Sequence, residues 1–315
     1  MFIATLTLII GLCILVFSAQ KLVHHAITLG QYHHLSELMI GITIIGIGTS
    51  LPEIMVSILA AFKGSPDLAL GNGYGSNIAN ILFILGASLL ICPIRISKTL
   101  WQGELSYLCL VSIITLGFLM TGTLGRTYGL MALVLYGWII FKSLKQPNNQ
   151  KKPKQVKLAT PYATAWLFVV LSFIALMASA QMLVSSATFI AQKLNVGDEI
   201  IGLTVVAIGT SLPELATSLA ACQQKKPDLI LGNVIGSNLL NTMVVIGVAA
   251  LIHPITVHSA IIYRDFSLML TATLYLWVRC YTQKPTSFTR LEGILFLLSY
   301  VAFLTLLANH IVNQN

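Results

Sequence analysis

GITIIGIGTSLPEIMVS at residues 41–57 returns as GLTVVAIGTSLPELATS at 202–218, and GNGYGSNIAN at 71–80 returns as GNVIGSNLLN at 232–241. Both pairs stand 161 residues apart, and 41–86 and 202–247 are identical at 22 of 46 positions without a gap. The chain therefore contains an internal duplication that keeps its polar residues. Each copy sets one carboxylate, Glu53 or Glu214, inside an apolar run. An acid is expensive to hold away from water, so such a residue marks a functional site by default.

Composition identifies the medium. Only 18 Lys and Arg and 10 Asp and Glu occur among 315 residues, 56% are hydrophobic, and the mean hydropathy is +0.86. These values describe a polytopic membrane protein and exclude a large soluble domain. Charge-free runs fill 1–20, 105–125, 158–192 and 293–315, each long enough to cross at about 20 residues per span. The pattern predicts an all-α fold of ten transmembrane helices, roughly 2–20, 38–62, 69–91, 104–122, 127–144, 162–187, 199–223, 230–252, 264–281 and 290–310. The ninth is pinched by Arg264, Asp265 and Arg279.

Residues 145–161, KQPNNQKKPKQVKLATP, read as a flexible tether. They divide the chain into a first five-helix repeat, 1–144, and a second, 162–315. Because five is odd, the second half enters the membrane in the opposite sense, so the duplication is an inverted repeat. The likeness extends to SAQKLVHHA at 18–26 and SAQMLVSSA at 179–187. That makes the first helix part of the fold and argues against a cleaved signal peptide, which wants a basic start. Alternating the loops places 14 basic residues on one side against Lys63, Arg126, Lys193 and Arg264 on the other. Keeping Lys and Arg cytoplasmic puts both termini outside. The same retention accounts for the net charge of +8, so nucleic acid is not an expected partner. The lipid bilayer is one, and no obligatory protein partner is evident.

Proline lacks an N–H and crowds the carbonyl one turn back, so Pro52 and Pro213 should open the helix at Gly48 and Gly209. Broken backbone at membrane depth is tolerated only where it is buried or lines a cavity. Thr49, Ser50 and Glu53, with Thr210, Ser211 and Glu214, stand beside the breaks. The second motif adds Asn72, Ser76, Asn77 and Asn80, matched by Asn233, Ser237, Asn238 and Asn241, while Gly71, Gly73 and Gly75 would admit a close helix. Every ligand in this set is a hard oxygen, which suits calcium or sodium and not zinc or copper. Pro66-Asp67 and Pro227-Asp228 read as helix starts with a capping acid.

The chain resembles the cation/calcium exchanger superfamily over nearly its whole length. GTSLPE and GNxxGSN look like the paired α-repeats of its prokaryotic sodium/calcium branch, here 41–86 and 202–247. The cation/proton branch typically carries an acidic second motif, where this chain has Gly75-Ser76 and Gly236-Ser237. The resemblance implies a secondary antiporter, not an enzyme, that exchanges calcium for sodium by alternating access. It needs no cofactor; its ions are cargo. It implies that Glu53, Glu214, Asn80 and Asn241 bind both ions in competition. Sodium ligands would come from Thr49, Ser50, Ser76, Thr210, Ser211 and Ser237 and the main-chain oxygens of Gly46 and Ala207. The first and sixth helices would slide past the rest. Several relatives carry Asp where this chain has Asn241, leaving two central carboxylates here, enough to balance one calcium ion. The short tether lacks the regulatory loop of animal exchangers, so the expected location is a prokaryotic inner (plasma) membrane.

A calcium/proton antiporter is the alternative, since desolvated glutamates can also carry protons; a passive cation channel is a more distant one. Inverted repeats with broken helices at the midplane are the transporter pattern. His24, His25, His33 and His34 read as interfacial histidines, and the five cysteines, without CxxC spacing, as small core residues.

Overall fold

In the computed structural model, which describes residues 1–96, 103–145, 160–194, 207–282 and 286–312, the charge-free runs become the longest helices. These are α1, Phe2–Tyr32, and α7, Tyr162–Lys193. They form the most extensive helix pair in the molecule. Each continues past the end expected from sequence, at 20 and 187. Lys21 does not stop α1 because its flexible stem lays the ammonium 5.4 Å from the centre of the Phe17 ring. At about 1.5 Å per residue each helix exceeds the ~30 Å hydrocarbon core, so it tilts or emerges from it.

The duplicated motifs lie on the elements that follow each of these long helices. In the first half they are α2, Glu37–Thr49, α3, Leu51–Phe62, and α4, Asp67–Ile91. In the second they are α8, Ala207–Thr210, α9, Leu212–Gln223, and α10, Pro227–Ile252. Helices α4 and α10 form the centre, with 72% and 78% of their apolar stretch buried, against 22–33% for the other long spans. Around them stand α5, Glu104–Leu119, α6, Arg126–Lys145, α11, Ser267–Thr282, and α12, Arg290–Val312.

The chain is thus a helical, multi-pass membrane protein. Among the described residues six helices are long and apolar enough to cross a membrane, and the bent pair α2–α3 makes a seventh. That is fewer than the ten expected, because α5 and α11 hold only 16 residues each. The residues leading into α8, and positions 146–159 of the expected linker at 145–161, lie outside the described residues. The pinch at Arg264 and Asp265 is relieved by their own ion pair at 2.7 Å, in a π-helical turn that leads into α11.

Four short strands depart from a purely helical reading. β1, Ile94–Ile96, pairs antiparallel with β4, Thr286–Phe288, and β2, Thr123–Leu124, with β3, Ile255–Thr256. At two or three residues they are too short to leave a period-two pattern, yet they satisfy backbone groups where helices end. Each pair joins one half of the chain to the other. The capping reading is also corrected. Asp67 and Asp228 sit in the first turns of α4 and α10, where a negative charge suits the helix dipole, but neither helix has a side-chain cap bond.

Candidate ion-binding site

The helix break expected from Pro52 falls at Ser50, whose φ/ψ of −87°/7° separates α2 from α3 by a bend of 46°. Its repeat partner Ser211 has φ/ψ of −92°/2°. With Pro at the second position of each following helix, both copies make the same interruption.

Close approach then brings the halves together. A Cβ on Gly41 would stand 2.6 Å from the Leu229 carbonyl oxygen, and one on Gly236 2.6 Å from the Ile42 Cα. Helix α2 can therefore cross α10 backbone to backbone only because these positions are glycine. The expectation for Gly71 and Gly75 finds no such neighbour among the described residues, although Gly73 does pack tightly, on Ile246.

Across that crossing the polar residues meet. Ser50 Oγ lies 3.4 Å from Glu214 Oε1 and 3.0 Å from Ser237 Oγ, within reach of a hydrogen bond to either, and Thr49 Oγ1 donates to Asn233 Oδ1 at 3.4 Å. Asn80 Nδ2 donates to Asn238 Oδ1 at 3.0 Å. Asn72 ties α4 to α3 through the Glu53 carbonyl and Ser57, both at 3.0 Å. Asn233 repeats the tie through the Glu214 carbonyl and Ser218, at 3.4 and 3.2 Å. The Gly46 carbonyl accepts from Ser50 N at 3.2 Å. Ser76, Ser211 and Asn241 are buried, and Thr210 is half-buried at its break. Ala207 opens α8, and its side chain lies outside the described residues.

The acids carry the electrostatics. Glu53 and Glu214 are each 2% exposed, and the charge of one acts on the other. Among the described residues neither is in an ion pair; the four that occur involve Glu37, Asp67, Asp265 and Glu292. Glu53 Oε2, Glu214 Oε2, Asn241 Oδ1 and Asn77 Oδ1 are buried acceptors with no hydrogen-bond partner. Buried polar atoms are ordinarily paired, so orphaned acceptors beside uncompensated charge describe a place for a cation. The set is all oxygen, and among the described residues no group of three His, Cys, Asp or Glu offers a softer site. The N-terminal histidines pack on rings instead: His25 stacks on Phe168 at 4.6 Å, and His33 reaches the Tyr162 hydroxyl at 3.1 Å.

Two π-helical turns and Thr242 have no mark in the sequence. Asn80 lies in a π-helical turn, Ala79–Leu85, and Asn241 opens another, Asn241–Val245. Such turns recur at functional sites, but the slip of hydrogen bonding has no compositional mark. Asn77 donates to Thr242 Oγ1 at 2.8 Å; the repeat of GSN was the signal for Asn77. Thr242 had none, because its repeat partner is Ile81.

A model of the sodium/calcium exchanger protein family matches residues 3–145 and 164–309. The chain belongs to the sodium/calcium exchanger family. It is 38% identical to CaxA of Alkalimonas amylolytica, over 98% of this chain and 99% of that one. It is 36% identical to the inner membrane protein YrbG of Escherichia coli, over 98% and 97%. Among solved structures it is similar to the sodium-calcium exchanger NCX_Mj soaked with sodium and strontium. There the TM-score is 0.83 at 29% identity, covering 96% of this chain and 97% of the other. Within the cation/calcium exchanger superfamily the chain sits in the prokaryotic branch, and the family is one of cation transporters.

Proposed function

We propose that this exchanger moves calcium against sodium by alternating access, through a site centred on Glu53, Glu214, Asn80 and Asn241. The observation that carries this reading is the set of buried oxygens without partners among the described residues, set beside two carboxylates that no described cationic side chain pairs with. Two negative charges match one calcium ion. Thr49, Ser50, Ser76, Thr210, Ser211, Ser237 and the main-chain oxygens of Gly46 and Ala207 supply the neutral oxygens that sodium takes when calcium leaves. Because both ions use the same atoms, binding is competitive, and competition couples their fluxes.

The same reading assigns ten crossings in two inverted five-helix repeats, 1–144 and 162–315, joined by a cytoplasmic tether at 145–161, with both termini outside an inner membrane. Contacts between connecting segments support it. Strand β1 with β4, and the Lys226–Glu37 ion pair, join segments on the basic side. Strand β2 with β3, and His258 with Asp67, join segments on the other. None of these contacts mixes the two sides.

The test is calcium-45 uptake into proteoliposomes at equal internal and external pH. With sodium loaded inside and replaced by choline outside, uptake should exceed the sodium-free control by at least about tenfold, as expected if binding energy is shared between the ions. Uptake driven by a pH gradient and indifferent to sodium would assign the protein to calcium/proton exchange, for which the unpartnered carboxylate oxygens also provide a carrier.

A further inference from the structure

The two central asparagines are held differently. Asn80 is fixed through its side chain, by its bond to Asn238. Asn241 Oδ1 has no hydrogen-bond partner among the described residues, so no contact to that oxygen fixes it and the backbone that carries it sets where it can reach. That backbone is the π-helical turn Asn241–Val245, where the regular ladder of N–H to C=O bonds slips by one residue. The slip leaves carbonyls that something else has to satisfy.

Tyr128 donates to a carbonyl of this turn. Its hydroxyl donates to the Thr242 carbonyl at 2.9 Å and lies 3.5 Å from Thr115 Oγ1, while Phe118 packs on its ring at 5.4 Å. The residue is 1% exposed. Helix α6 comes near enough because Gly129 meets Gly247: a Cβ on Gly129 would stand 2.5 Å from the Gly247 carbonyl oxygen. From the other side Asn77 Nδ2 donates to Thr242 Oγ1 at 2.8 Å. The residue after Asn241 is thus clamped through both its carbonyl and its hydroxyl. The other half has no equivalent: Ile81 stands where Thr242 does, and Glu292 precedes Gly293, which meets Gly86 as Gly129 meets Gly247.

We infer that Tyr128 is a positioning residue, bracing the Thr242 peptide so that the Asn241 oxygen is held at the ion, with Thr242 and Asn77 as the second arm of the brace. This rests on the cation site proposed above. It adds a residue from α6, outside both repeated motifs, to the determinants of calcium affinity. In the Tyr128→Phe protein the carbonyl loses its donor and the turn can relax, so Asn241 moves and the ion loses a ligand.

Equilibrium calcium-45 binding to the purified full-length protein, with strontium as competitor, tests the brace without any gradient. Tyr128→Phe and Thr242→Val should each weaken calcium binding roughly tenfold, the scale of one buried hydrogen bond, and shift the calcium-to-strontium preference. Thr242→Ser, which keeps the hydroxyl, should restore wild-type binding. Tyr136→Phe is the control, because the Tyr136 hydroxyl on the same helix is buried without a partner. In transport the loss should appear in the half-saturating calcium concentration, with maximal rate altered less than about twofold. A Tyr128→Phe protein that binds calcium and strontium as Tyr136→Phe does would overturn the brace. If Tyr128→Phe fails to fold, Thr242→Val against Thr242→Ser decides it. Failure of sodium coupling would instead show in the wild-type flux, with the ratios between variants in binding unchanged.

Discussion

Glu53→Gln and Glu214→Gln are each expected to lower sodium-driven calcium uptake by at least ~100-fold while the protein still folds and inserts. Each change leaves a divalent ion facing one carboxylate in a site without other charge compensation. Removing one partner from a buried charge arrangement costs about 3–5 kcal/mol, or about two to nearly four decades of affinity. The stability of the ion-free protein should move the other way. Each glutamate is 2% exposed and in no ion pair among the described residues; an uncompensated buried charge is unfavourable, so neutralising one relieves the empty state. Thermal unfolding in chelator and choline, beside the flux, should show a variant at least as stable as wild type and nearly inactive. Unimpaired transport would place the ion elsewhere.

The second large effect belongs to the crossing of α2 and α10. A Cβ on Gly232 would collide with the Leu38 carbonyl oxygen and stand 3.0 Å from the Gly41 Cα, both backbone atoms that cannot rotate away. Gly232→Ala should therefore cost about 1–3 kcal/mol of stability, as overpacking does. It should cost more in function, because the helices that separate are α2, which leads into Ser50, and α10, which carries Ser237, now 3.0 Å from it. At least a tenfold loss of uptake is expected at temperatures where the protein remains folded, since catalytic and binding geometry tolerates displacements well under 1 Å. Gly137→Ala, with nothing within 4 Å of its added Cβ, should behave as wild type in both assays. Equal losses in the two variants would mean that the crossing is not what holds the site.

How far the site was legible in the sequence follows from what duplication can mark. Thr49, Ser50, Glu53, Asn72 and their partners announce themselves because polar residues in apolar runs recur at one offset. The break at Ser50 follows from a proline two residues on. Tyr128 and Thr242 lack repeat partners, so nothing in the sequence sets them apart from other membrane tyrosines and threonines. Helix lengths are the least legible, since a charged residue marks a terminus only where it leaves the helix, and Lys21 stays in α1 with its ammonium over the Phe17 ring. The π-helical turns are invisible for a related reason: shifting a hydrogen bond from one carbonyl to the next requires no particular residue. The strands at 94–96 and 286–288 are set by a partner nearly two hundred residues away.

Competition between sodium and calcium for one set of oxygens is most directly tested by titrating sodium against calcium-45 bound to the purified protein at fixed pH and ionic strength. Exchange at the Glu53–Glu214 site predicts that sodium displaces all bound calcium, that the half-displacing sodium concentration rises with the calcium concentration, and that Glu53→Gln removes the displaceable binding. Calcium that stays bound at saturating sodium, or binding unchanged in Glu53→Gln, would contradict it.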